Sequence, residues 1–225
     1  MEGSRPEQTR REQRTADSRA RILDAATRCL VEDGYARTTT LRIQQEAGVS
    51  RGRLLHHFPS REALLVAAAE HVALQRIHST VDRIERPGAA GASRSEQIRH
   101  VIHVMWQTFH EPHFSAALEL WTAARTNTEI AGTLLPGERL LGEIIDATIT
   151  RMWGPELSAH PRFPMLRELL MTSMRGAALV YTFRPRDPAT DPHLSMWVEL
   201  THTLLGLEPD AEPVAATAGA DGHAG

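Results

Sequence analysis

No lysine occurs among the 225 residues: all 25 basic side chains are arginine, set against 28 acids for a formal net charge of −3. With no basic excess over the whole chain, any surface meant for a polyanion has to be local. A single cysteine, Cys29, excludes an intramolecular disulfide framework and a Cys-rich zinc site. It falls in an apolar helical stripe, the place of an inert core thiol rather than a sensor. No run approaches the length of apolar residues that spans a bilayer, and the first 30 residues carry no apolar signal segment. A cytoplasmic protein is expected. A Gly-rich phosphate loop, a nucleophile elbow, a His-Glu-x-x-His helix and a recognisable frame of paired acids are all missing, so neither enzyme activity nor a cofactor is expected.

What is present is an ordinary globular composition, 41% hydrophobic and 24% charged, with one local departure. Between Gly34 and Arg61 stand Arg37, Arg42, Arg51, Arg53 and Arg61 against Glu46 alone, a net charge of +4 in a chain of −3. Two short helical patterns meet inside this island at Ala47-Gly48-Val49-Ser50. Gly48 permits a sharp turn, Val49 plugs the angle between the helices, and Ser50 caps the second. The stretch 38–62 therefore reads as a helix-turn-helix whose second helix lies against DNA.

The surrounding pattern is helical throughout, an all-α chain. Residues 1–15 have no periodic apolar face and are expected to be a disordered basic arm. A first helix follows over about 17–33, carrying Ile22, Leu23, Ala26, Leu30 and Val31, with Gly34 as its stop. The second spans about 40–47, capped by threonine hydroxyls, and Leu41, Ile43 and Ala47 are expected to face the first. The third spans about 50–57, with Leu54 and Phe58 turned inward. Pro59 ends it, and a long fourth helix runs to about residue 84 before the linker-like ERPGAAGAS.

The residues Thr39, Ile43, Ala47, Gly48, Val49, Ser50, Gly52, Leu54, His57, Phe58, Pro59, Ser60, Arg61, Glu62 and Leu64 keep a spacing that resembles the DNA-binding domain of the TetR/AcrR family of bacterial regulators. The match covers about residues 16–70. The resemblance implies a three-helix operator-reading domain (16–61) and a larger helical domain (62–207) that binds a small molecule and dimerises. Three positions depart from the family pattern. Gln44 replaces a small residue, Arg53 replaces a common threonine, and Leu55 replaces a tyrosine whose hydroxyl contacts phosphate.

Beyond the linker, helices are expected over about 94–110, 114–126, 129–153, 163–183 and 192–207. Pro136-Gly137 is expected to kink or interrupt the third of these, and Gly154-Pro155 to close it. The last two are apolar on more than one face, which suits helices buried both on their own domain and against a second copy of the chain. Residues 208–225 read as a disordered tail.

Ser50, Arg51, Gly52, Arg53, His56 and His57 are the expected reading residues, with Thr39, Thr40 and Arg61 as phosphate clamps. Met105, Trp106, Phe109, Trp121, Met171, Met174 and Tyr181 either line a cavity or form a packed core. Arg125 either holds a ligand carboxylate or merely completes a helix end. His100, His103, His110 and His113 have spacings that invite a metal, but no carboxylate or thiolate completes the set, and surface histidines are expected. The partners implied are an operator duplex, a largely apolar small molecule and a second copy of the chain, with no membrane. Such a protein would be a repressor released by its ligand. The alternative is an activator, or a regulator controlled by a protein partner, whose C-terminal domain would be packed solid.

Overall fold

The computed structural model describes residues 5–84 and 93–208, apart from the side chains of 5–11, 76 and 78–84. Residues 85–92 of the expected linker (85–93) and the tail from 209 onward lie outside the described residues, as do the side chains of the arm's Arg5, Arg10 and Arg11. The described residues form nine α-helices and a single 3₁₀ turn (Pro188–Thr190). The helices are α1 (Arg5–Arg37), α2 (Thr40–Ala47), α3 (Arg51–His57), α4 (Arg61–Ile84), α5 (Arg94–Thr108), α6 (Pro112–Ala124), α7 (Thr128–Ser158), α8 (Phe163–Tyr181) and α9 (His193–Leu205).

The α1 boundary corrects one expectation. The backbone is helical from Arg5, so the segment expected to be a disordered arm instead extends the first helix. It lacks an apolar face, but it is rich in Arg, Glu and Gln, which favour helix on their own, and Pro6 falls in the first turn where its missing N–H costs nothing. At the far end Gly34 takes φ 71° and breaks the helical path within the α1 span. Thr38, fully buried, closes that break by donating its hydroxyl to the carbonyls of Cys29 (2.9 Å) and Gly34 (2.8 Å).

Helices α1 to α4 pack around Ile22, Leu23, Cys29, Leu30, Ile43, Leu54, Phe58, Leu64 and Leu65, and this core continues into α6 through Ala116 and Leu120 and into α7 through Leu134. Helix α4, which begins at Arg61, contributes to both units. Leu41 does not face α1: it is 62% exposed, because Ile43 and Ala47 already occupy the inward face of α2. A second core gathers Ile98, Ile102, Trp106, Trp153, Phe163, Leu166, Leu170, Met174 and Trp197 from α5, α7, α8 and α9.

Pro136 does not interrupt α7. Its ring leaves the carbonyl of Gly132 without a helical partner, but both residues are exposed and water can serve it. The non-helical residue in this span is Gly154, at φ 74°, just before Pro155.

Candidate nucleic-acid interface and interior cavity

The turn between α2 and α3 is built as its residues dictate. Thr39 caps α2 by accepting from the N–H of Arg42 (3.1 Å), and Gly48 closes it at φ 63°. Ser50 caps α3 by accepting from the N–H of Arg53 (3.3 Å). Each cap contributes about 1 kcal/mol and leaves the hydroxyl hydrogen available to an outside acceptor. Neither helix has an acid in its first turn, so neither compensates its own positive end.

The five arginines of the basic island divide into two groups. Arg42 pairs with Asp33 (3.3 Å) and Glu46 (3.3 Å), and Arg37 donates to the carbonyl of Asp33 (3.1 Å). Arg61 donates to the carbonyls of Thr38 (2.6 Å) and Tyr35, meets Glu62 at 3.1 Å, and lies over the Tyr35 ring at 4.2 Å. It is a clasp inside the protein rather than a phosphate clamp, because each of its three nitrogens is already engaged. Arg51 and Arg53 are exposed and form no ion pair with any described residue. Thr39, Gly52 and His56 share their exposed surface, with Thr40 half-buried beside them.

His57 is a second correction. Its Nε2 is buried with no hydrogen-bond partner, and its ring packs by those of His56 and Phe58. Burial, then the charges of His56, Arg53 and Arg19, holds its pKa below the ordinary histidine value. A neutral, inward ring offers phosphate no cation. Leu55, 48% exposed, places an isobutyl group where the family pattern has a tyrosine hydroxyl.

A cavity of about 310 Å³ opens among α4 to α8. Of the residues considered for it, Met105, Phe109, Trp121 and Met171 line its wall. Trp106 and Met174 do not; both are fully buried in the second core. Tyr181 is occupied elsewhere, its hydroxyl 3.2 Å from Nδ1 of His193, which in turn meets the buried Asp191 at 2.8 Å. Arg125 is exposed beyond the end of α6 and outside the cavity. The lining also holds Glu70, Glu138, Arg175, Thr108 and Thr148, polar residues that single-helix periodicity does not single out, and His113, expected at the surface but with its Nδ1 buried. Arg175 lies over the Trp121 ring at 5.3 Å. Among the candidate metal ligands, His103 meets Gln107 (2.9 Å) and His110 meets the Trp106 carbonyl (3.2 Å). Among the described residues no three His, Cys, Asp or Glu converge, and no helix is long and apolar enough to cross a membrane.

A helix-turn-helix with outward arginines, joined through a shared helix to a hollow helical body, defines a DNA-binding regulator. Residues 22–68 match the family model for bacterial regulatory proteins, tetR family. An uncharacterized HTH-type transcriptional regulator of Mycobacterium tuberculosis is 25% identical over 197 residues, covering 84% of this chain and 95% of the relative. The HTH-type transcriptional repressor AcnR of Corynebacterium efficiens is 27% identical over 139 residues, 60% of this chain and 65% of its own. The crystal structure of the regulator FadR from Bacillus subtilis, in complex with stearoyl-CoA, superposes with a TM-score of 0.55 at 19% identity, covering 84% of this chain and 99% of that one. Residues 22–68 thus form a DNA-binding domain of the tetR type, and over most of its length the chain is similar to HTH-type transcriptional regulators.

Proposed function

We propose that the chain is a repressor that holds its operator as a homodimer and lets go when a small molecule fills the cavity. The observation that carries this reading is the cavity's position. Its walls include Ala69 and Ala73 of α4 and Leu120 of α6, and α4 and α6 also supply the core of the DNA-reading bundle. A ligand that prefers one packing of these helices shifts the equilibrium by its differential affinity. The volume lies within the usual range for small-molecule sites and weighs against a solid domain answering only to a protein partner. AcnR, a relative, is named a repressor.

Pairing rests on α8. Its inward residues Leu166, Leu170 and Met174 are buried, while Met165, Leu169, Leu179 and Val180 form an exposed apolar stripe. Phe183 just beyond α8 and Met196 of α9 extend it. A second copy would cover the stripe and set two α3 helices about 34–36 Å apart, one turn of duplex. Thr39, Thr40, Ser50, Arg51, Gly52, Arg53 and His56 then face DNA. The test is footprinting on DNA around the chain's own gene. A salt-sensitive, two-half-site footprint is expected, and its absence overturns the reading.

A further inference from the structure

The cavity wall is apolar and aromatic apart from a few charged groups, and those are not balanced against each other. Glu70 projects from α4 until its carboxylate lies against Gly137 of α7: a Cβ added there would sit 1.6 Å from Oε1. The next residue, Glu138, lines the same wall. Neither carboxylate has a hydrogen bond or ion pair with any described residue. Glu70 feels burial first and then the like charge of Glu138, both of which raise its pKa, with no offsetting cation among the described residues. The guanidinium in the lining, Arg175, is held over Trp121 instead. Phe109, Phe114 and Trp121 are packed edge to face, with ring centroids 5.1 and 6.1 Å apart. Aromatic faces attract cations by their quadrupole, so wall and carboxylates favour the same charge.

We propose that the cavity takes a lipophilic cation, an amine or quaternary ammonium on an apolar body, with its positive charge beside Glu70 and Glu138. This rests on the ligand-binding reading above. A cation there supplies the counter-charge the pair lacks, while its apolar body fills a wall that offers little hydrogen bonding. An anionic amphiphile would meet two carboxylates in the lining against a single arginine, Arg175, which already lies over a ring.

The experiment titrates the full-length protein by calorimetry with decyltrimethylammonium, 1-decanol and decyl sulfate, one chain with three head charges, all kept below micelle formation. The cation is expected to bind about tenfold or more tighter than the alcohol, as a desolvated charge pair does, and the sulfate weakest. Glu70→Gln and Glu138→Gln should each erase most of the cation's advantage over the alcohol, with thermal melts of the variants showing that they are folded. Preferential binding of decyl sulfate, or a cation preference that survives both substitutions, overturns the proposal. Equal affinity for cation and alcohol overturns it too, yet leaves the ligand-binding reading standing. Binding of none of the three overturns both.

Discussion

The carboxylate of Glu119, on α6, accepts the backbone N–H of Tyr35 at 2.6 Å across a separation of 84 residues. Gly34 makes that bond necessary. Its φ of 71° breaks α1 and would leave the next N–H without a helical acceptor in a half-buried corner. On the other side of Tyr35, Arg61 binds its carbonyl and stacks on its ring. Two residues along α6, Trp121 lines the cavity. A single helix thus reaches from the cavity wall to the corner that seats the DNA-reading bundle.

Glu119→Ala should therefore do more than remove a surface charge. Loss of a hydrogen bond to an ionised group costs about 1.5–3 kcal/mol, and Glu119→Gln should cost less because its carbonyl still accepts. Thermal melts measure the stability loss. If the corner couples the two units, the alanine variant also shows a weaker effect of ligand on operator affinity than the glutamine variant at equal folded fraction.

The division among the arginines predicts two phenotypes. Arg51→Ala and Arg53→Ala should leave the melting temperature unchanged and weaken operator binding. A lost guanine contact costs about 1–3 kcal/mol and relaxes specificity at one base pair, whereas a lost phosphate contact lowers the salt slope by about one. Arg61→Ala should behave in the opposite way, unfolding at lower temperature because two backbone carbonyls and Glu62 lose their partner. Fluorescence anisotropy across a salt series, paired with melts, separates the classes. Equal loss of affinity without loss of stability in all three would refute the clasp role.

The helices were legible because their punctuation is local: Thr39, Gly48, Ser50 and Pro59 bound α2 and α3 by their own chemistry. What escaped depends on partners distant in the chain. Leu41 fits the apolar period of α2, but the helix is too short for a third inward side chain, and the residue is exposed. Arg61 looks like a clamp until its carbonyl acceptors at Tyr35 and Thr38 are in place, 26 and 23 residues away. The cavity was half legible. Aromatic and methionine stripes pointed to Met105, Phe109, Trp121 and Met171, but whether such a side chain faces a void or a neighbour is decided by how α4 to α8 are spaced. Glu70 and Glu138 carried no signal, since a charge on a helix normally marks its solvated face.

The exposed stripe on α8 predicts a charge-sensitive assembly. Leu169→Glu or Leu179→Glu places a carboxylate on a face that, in a dimer, would meet its own copy. Both positions are already exposed in the single chain, so folding should be unaffected. Sedimentation velocity should show a dimer for the parent chain and a monomer for the variants, and the variants should bind an isolated half-site without the tighter two-site mode. A variant that remains dimeric would move the interface elsewhere.

Glu70 gives the pH prediction. Burial and Glu138 raise its pKa in the folded chain above the ordinary carboxylate value. The folded state therefore keeps a proton that the unfolded chain releases first. The stability from protonated Glu70 is complete below the ordinary carboxylate pKa and is lost as pH rises through the folded value. At neutral pH the ionised group is a net cost to the empty protein. Glu70→Gln, which cannot ionise, should melt higher than the parent at neutral pH, with the difference shrinking as the pH falls through the carboxylate range. Melts of both proteins from about pH 4 to pH 8 test this, because linkage makes the gap between the two curves follow the titration of this one group. Parallel curves would mean that Glu70 is no more desolvated when folded than when unfolded. A bound cation should narrow the gap at neutral pH by favouring the ionised parent, and an alcohol of the same chain length should leave it unchanged.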